Sequence, residues 1–326
     1  MITVYSGIDG SLRKSEFPAD GKLPPGVVWV DCLNPSIEEQ KAVNEALKID
    51  PPSREEMGEI EFSSRIYREG EASYMTVPVL YRAETLTPET TPITFIRTAT
   101  TLVSVRFGEP QAITGFIARA QRPNDFSASA DTVFIGLMDA LIDRAADVIE
   151  RIALDQDNLS KTIFHSRAQH ERAAEEILQD TVLRLGRIED INSRLQDSLL
   201  AMGRLLSFLG QTLTDQKAPR EVRERIKTLA RDVRSISEHS GFTAQKGGFL
   251  LEATLGLIGV RHTEVIKIFS LLATVLLPPT LIASVYGMNF VLMPELNWAL
   301  GYPFALLLIA LSAILPYWFF KRRGWF

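Results

Sequence analysis

Gly287-Met288-Asn289 closes a long uncharged run, and its last residue is the one suited to chemistry. A carboxamide offers a neutral carbonyl acceptor and two amide donors without the charge of a carboxylate. Gly and Asn also serve as ordinary helix C-caps, so the triplet alone leaves a structural and a chemical reading open. Little else is spaced for chemistry. His165, His170, His239 and His262 fall at no metal-motif spacing. One cysteine, Cys32, excludes an intrachain disulfide framework and a cysteine-rich zinc site. No P-loop, metalloprotease motif or nucleophile–His–acid arrangement stands out, so the residues give an enzyme little support and direct ATP drive is not expected.

The elements that position Asn289 follow from the distribution of charge. The 326 residues carry a net charge of −5, which argues against a nucleic-acid partner, but the average hides a division. Residues 1–267 hold 32 basic and 39 acidic side chains, a net of −7, whereas the rest of the chain has only Glu295, Lys321, Arg322 and Arg323. Ile268–Pro294 and Leu296–Phe320 are uncharged, and each exceeds the roughly 20 residues that cross a bilayer core. Their Leu, Ile, Val and Phe are worth roughly −3 to −6 kcal/mol of insertion free energy per run. That outweighs Pro278-Pro279 in the first and Pro303 and Pro316 in the second. A buried core hairpin is the alternative.

Two spans place both flanks on one side. The connecting stretch 289–301 has no Lys or Arg, while Lys321-Arg322-Arg323 follows the second span. The positive-inside rule therefore expects a multi-pass protein of the cell inner (plasma) membrane with both termini cytoplasmic. Trp298, Tyr302, Tyr317, Trp318 and Trp325 sit where interfacial aromatics belong. Met1–Lys14 has no apolar run, so a signal peptide is not expected.

The first 125 residues read as mixed α/β. Val27–Val30, Tyr74–Leu80, Thr94–Ile96 and Leu102–Phe107 are rich in strand formers, the last two joined as a hairpin around Thr98–Thr101. Ser36 with Glu39 three residues on marks a helix start. From about Ala130 the pattern is helical. Ile135, Met138, Ile142, Ala145, Ile149 and Ile152 share one face, and Ile177, Val182, Leu185, Ile188, Ile191, Leu195 and Leu199 recur within Ala173–Leu209. A third run begins near Pro219 and has no clear stop before Gly287, apart from soft spots at Gly241, Gly247-Gly248 and Pro278-Pro279. Unbroken, it would be a rod of roughly 100 Å; two or three helices broken at the glycines are the alternative.

Tyr286-Gly287-Met288-Asn289-Phe290 followed by Met293-Pro294-Glu295-Leu296 resembles the CorA family of magnesium transport proteins, whose signature is a Gly-Met-Asn triplet followed by a short MPEL-type loop. Leu277-Pro278-Pro279-Thr280, Gly301-Tyr302-Pro303, the tail 321–325 and the stretch Glu59-Ile60-Glu61-Phe62-Ser63-Ser64-Arg65 add to it. The resemblance covers the whole chain in organisation and is specific mainly over 258–326. The organisation is an α/β N-terminal cytoplasmic domain (1–125), a cytoplasmic helical region (126–217) and a long stalk helix continuing into the first transmembrane span (218–287). An outer loop with both motifs (288–300), a second span (301–320) and a basic cytoplasmic tail (321–326) complete it.

The resemblance implies a homopentamer in the lipid bilayer, its first spans lining one pore and its second spans forming an outer ring. It implies a divalent-cation channel for Mg²⁺, passing Co²⁺ and Ni²⁺ as well. Mg²⁺ would be both the transported and the regulatory ion, since binding between subunits on the cytoplasmic side favours the closed state. Gly287, Met288 and Asn289 would form the selectivity filter. The chemistry is compatible: Mg²⁺ sheds water reluctantly, and a ring of Asn289 carbonyls could accept from its hydration shell without a carboxylate's deep well. Gly287 would permit the sharp close of the helix that presents Asn289.

Ile266, Phe269, Ala273, Leu277, Thr280 and Ser284 share a face and are assigned to the pore wall, with Thr280 as a polar ring and Phe269 and Leu277 as hydrophobic constrictions. Another face lining the pore is the alternative. Pro278 and Pro279 would free the carbonyls of Thr274 and Val275, for pore water or for a bend. Glu252, about four turns before Ile266, could concentrate cations at the cytoplasmic mouth or be a solvated charge. Glu295 in the outer loop could attract cations weakly. Gly259–Thr263 departs from the family pattern of Asn and Gln near the inner end of the pore, through Arg261, His262 and Thr263. Asp232 is the candidate regulatory-metal residue. The competing functions are a zinc transporter of the same superfamily and a membrane-tethered scaffold or signalling protein.

Overall fold

A computed structural model of the chain describes all residues except 9, 19–20, 60, 86, 123–127, 166–170, 289–292, 295–297, 299 and 324–326, and gives the backbone alone at 62, 165 and 171–175. It divides into two compact units, Met1–Leu251 and Glu252–Phe326.

The first unit is built on a seven-stranded sheet in the order β2-β1-β3-β7-β6-β5-β4. Its strands are β1 (Ile2–Ile8), β2 (Ser11–Glu16), β3 (Val27–Leu33), β4 (Ile66–Glu69), β5 (Ala72–Tyr81), β6 (Glu89–Arg97) and β7 (Leu102–Arg106). Only β3 and β7 pair in parallel. The expected β6–β7 hairpin is present, with Arg97 opposite Leu102. Strand alternation sends successive side chains to opposite faces. Trp29, Met75, Val77 and Phe95 enter one core, and Val30, Tyr74, Ile96 and Val103 enter the other. Short helix α1 (Ile37–Leu47) covers the second core, started by the expected capping box in which Ser36 and Glu39 bond reciprocally. A four-residue α2 (Phe62–Arg65) precedes β4.

Helices α3 (Gln111–Ala120), α4 (Ala130–His165) and α5 (Glu171–Asp215) cover the first core. The periodic faces read from the sequence are the packed ones: Met138, Ile142, Ala145, Ile149 and Ile152 of α4 are buried, as are Leu185, Ile188, Leu195 and Leu199 of α5. Ile226, Leu229, Val233 and Leu250 join the same core from α6 (Arg220–Tyr286), a single helix. No break occurs at Gly241, Gly247 or Gly248. A helical glycine costs only about 1 kcal/mol relative to alanine, which packing along α6 outweighs.

The second unit contains the end of α6 and α7 (Gly301–Arg322). Both helices are long and apolar enough to cross a membrane, and neither apolar window is buried in the protein. Core helices of a water-soluble domain hide such windows; these leave Leu276, Leu281, Leu307 and Leu315 exposed.

Candidate functional site

The chemistry-bearing triplet lies where α6 ends. The helix stops at Tyr286, the Gly287 amide donates to the Ala283 carbonyl at 2.9 Å, and the Met288 amide donates to the Val285 carbonyl at 3.3 Å. Gly287 achieves this close without the left-handed backbone that Gly10, Gly21, Gly26 and Gly70 adopt. Its contribution is space: a Cβ there would sit 3.2 Å from the Ala283 carbonyl oxygen. Met288 is exposed. Asn289 and Glu295 lie outside the described residues.

Below the triplet, all six residues assigned to the pore wall are exposed: Ala273, Thr280 and Ser284, with Ile266 at 64%, Phe269 at 68% and Leu277 at 65%. Lys267, Leu271, Val275, Pro278, Ile282 and Tyr286 are half-buried. At 100° per residue this second stripe lies roughly 170° around the helix from the first. A matching half-buried stripe on α7 runs through Ala305, Leu308, Ser312, Pro316 and Phe320 at the same three-to-four spacing. The six-residue face lies within a wider exposed part of α6 that also takes in Ile268, Leu272, Leu276 and Leu281.

The polar member of that face has defined geometry. The Thr280 hydroxyl donates back to the Leu276 carbonyl at 2.7 Å, so its oxygen lone pairs remain as acceptors on the exposed side. In the departure segment, the Thr263 hydroxyl donates to the Gly259 carbonyl at 2.9 Å, and His262 is exposed. Glu252 is an exposed carboxylate at the start of the second unit. At the end of α7 each cation lies over the aromatic ring one turn back. Lys321 sits 5.9 Å from the Tyr317 ring, Arg322 5.0 Å from Trp318 and Arg323 4.9 Å from Phe319.

Asp232 is exposed on α6 and belongs to an acidic neighbourhood shared with α4. Burial raises the Asp143 carboxyl above the usual carboxylate range; the charge of Asp139 adds to this, Arg119 opposes it, and Asp147 and Asp232 add further. Asp139 is itself paired with Arg225 at 3.3 Å. Among the described residues no three His, Cys, Asp or Glu side chains converge to hold a metal within one chain.

The sequence reading missed a buried polar seam where α6 meets α4 and α5. Gln156 donates to the Thr243 carbonyl at 2.9 Å, while its own side-chain oxygen has no partner. Asn192 and Ser240 bond reciprocally. A Cβ on Gly247 would come 3.0 Å from Gln156 Nε2 and 3.3 Å from Glu189 Oε2. The available signal was polar residues, Gln156 and Asn192, inside apolar helical runs.

A family model for the CorA-like Mg²⁺ transporter protein matches residues 25–322. The chain belongs to the CorA family. It is 30% identical over 325 residues to the magnesium transport protein CorA of Pasteurella multocida, covering 100% of both chains. It is 31% identical over 299 residues to the magnesium transport protein CorA of Escherichia coli K12, covering 91% of this chain and 92% of that one. Its fold matches the complete structure of the CorA magnesium transporter from Methanocaldococcus jannaschii with a TM-score of 0.74 at 18% identity, over 100% and 99% of the two chains. The cytoplasmic domain of ZntB from Vibrio parahaemolyticus shares the fold of 79% of the chain, covering 97% of its own, at a TM-score of 0.54 and 11% identity. The mixed sheet, the long helix and the two apolar C-terminal helices are thus CorA architecture.

Proposed function

We propose that this CorA-family chain is a membrane channel that admits Mg²⁺ down its electrochemical gradient. What supports the reading is the exposed face of α6 through Ile266, Phe269, Leu277 and Thr280, on a helix that ends at Tyr286 directly before Gly287-Met288-Asn289 in the sequence. Five copies arranged around that face enclose a pore. Its wall is Ile266, Phe269, Ala273, Leu277, Thr280 and Ser284, and its filter is the ring of Gly287, Met288 and Asn289.

Asn289 carbonyls accept hydrogen bonds from the first-shell waters of Mg²⁺, which is favourable enough for entry and weak enough for exit. Thr280 lone pairs repeat that recognition along the wall. Phe269 and Leu277 narrow it with apolar rings that close by dewetting. Glu252 gathers cations at the cytoplasmic mouth and Glu295 at the outer one, each weakened by salt. A divalent ion gains about 4.6 kcal/mol per 100 mV of membrane potential, so no other energy source is required. The same hydration chemistry admits Co²⁺ and Ni²⁺.

Both termini are cytoplasmic, held by the Lys321-Arg322-Arg323 tail and its aromatic partners at the interface. Regulation follows from the acidic neighbourhood of Asp232. Mg²⁺ binds there between subunits and favours the closed arrangement. The experiment is ion flux in proteoliposomes with Mg²⁺, Co²⁺, Ni²⁺ and Zn²⁺ in parallel. Mg²⁺ flux that follows the imposed potential supports the reading; Zn²⁺ flux without Mg²⁺ flux replaces it with a zinc transporter. No flux of any divalent ion would leave a membrane-tethered scaffold.

A further inference from the structure

The first unit carries a basic cleft that ion conduction does not use. Two cavities, of about 590 Å³ and about 280 Å³, adjoin along α4 and share Ala83, Glu84, Thr85 and Val148 in their walls. Five arginines line them, Arg82, Arg144, Arg151, Arg184 and Arg187, against three carboxylates, Glu84, Glu109 and Asp155. Beside the cavities Arg82 also meets Glu89 at 3.4 Å and Arg144 meets Asp147 at 4.0 Å, so the positive excess lies on Arg184 and Arg187.

The arginines already hold one anion. A single oxygen of Glu84, Oε1, pairs with Arg144 and lies 3.5 Å from Arg151. Glu84 thus places a carboxylate where the two cavities meet. Arg184 and Arg187 line the smaller cavity from α5 and have no ion pair among the described residues. The larger cavity differs in character. Leu141, Ala145, Val148, Leu195 and Met202 form an apolar floor, and its volume falls within the range of small-molecule sites. Arg144 and Arg151 lie two turns apart on α4, about 10 Å along the axis. An apolar compartment joined to a row of guanidinium forks suits a ligand with a flat ring at one end and several phosphates at the other.

We propose that this cleft binds a nucleoside polyphosphate, its base on the apolar floor and its phosphates on Arg144, Arg151 and Arg187 in place of the Glu84 carboxylate. The ring enters the larger cavity, and the phosphate chain follows α4 toward the smaller one. Glu84 acts as an internal competitor, so Arg144 and Arg151 keep a partner when no ligand is bound. The proposal concerns ligand binding and stands whether or not the chain conducts Mg²⁺.

The test is isothermal titration of the full-length protein in detergent, in EDTA, with ATP, adenosine and inorganic tripolyphosphate as probes. ATP should bind saturably, with the other two each about 10-fold weaker or more, because each fills one half of the cleft. Arg151→Gln with Arg187→Gln should weaken ATP about 10-fold or more. Glu84→Gln should tighten it, since a neutral amide releases both arginines. Failure of wild type and Glu84→Gln alike to bind ATP at millimolar concentration overturns the proposal. So does tripolyphosphate binding as tightly as ATP, which would mark general anion attraction. If the double arginine variant does not fold, Glu84→Gln decides: affinity equal to or below wild type rejects the site.

Discussion

Asn192 on α5 and Ser240 on α6 hold each other from both sides. The Ser240 hydroxyl donates to Asn192 Oδ1 at 2.7 Å, and Asn192 Nδ2 donates to the Ser240 carbonyl at 3.2 Å, with both residues fully buried. Removing one partner leaves the other unsatisfied in the core. Asn192→Ala should cost about 1–3 kcal/mol, read as a lower unfolding midpoint in denaturant at constant slope. A variant as stable as wild type would show that the pair is not what ties α5 to α6.

The same seam sets the sign of a glycine substitution. Gly→Ala inside a helix ordinarily gains up to about 1 kcal/mol. Gly186 on α5 has nothing within 4 Å of an added Cβ, so Gly186→Ala should raise the melting temperature. At Gly247 the added Cβ meets Gln156 Nε2 at 3.0 Å, and Gln156 is buried and committed to the Thr243 carbonyl. Gly247→Ala should therefore lower the melting temperature, despite the identical change in propensity. Equal shifts in the two variants would contradict the packing at this crossing.

Glu189 supplies a pH dependence. Burial raises its carboxyl above the ordinary glutamate range, and no charged neighbour contributes. The folded chain then holds this proton more tightly than the unfolded chain. The ionised form costs stability in full above the folded pKa; the cost shrinks as pH falls from there and is gone below the unfolded pKa. Glu189→Gln removes it and adds an amide donor near Gln156, whose side-chain oxygen lacks a partner. The variant should melt higher than wild type at neutral pH, and the difference should shrink on acidification. A gain that grew as pH fell would reverse the assignment.

At the filter, Asn289→Ala should abolish or severely reduce Mg²⁺ uptake in proteoliposomes. Thr280→Val keeps the shape of the wall and removes its acceptor, so it should lower flux less than Asn289→Ala, while Thr280→Ser should retain it. A scaffold would leave the phenotype unchanged in Asn289→Ala. Flux equal to wild type in that variant removes Asn289 from the filter.

What the sequence determined by itself was whatever local free energy can decide. Uncharged length identified the two apolar helices, because insertion energy adds along a run. The 3.6-residue period identified the packed faces of α4 and α5, because a helix has one covered side. Ser36 and Glu39 declared a cap, since both partners lie within one turn.

Tertiary structure decided what depends on distant partners. Strand β1 escaped the pattern because its place in the sheet is fixed by pairing with β3 across more than 20 residues. Asp31 and Arg106 look like surface charges in the sequence, yet form a buried pair at 2.8 Å between adjacent parallel strands. At Gly247, which the sequence marks as a soft spot, α6 runs on unbroken, and Gln156 and Glu189 from α4 and α5 stand where a side chain would reach. Five arginines spread over more than 100 residues meet around one cleft only after folding. Gly-Met-Asn revealed the kind of residue that follows α6; only folding shows that α6 stays helical as far as Tyr286, because its packing partners lie on α4 and α5.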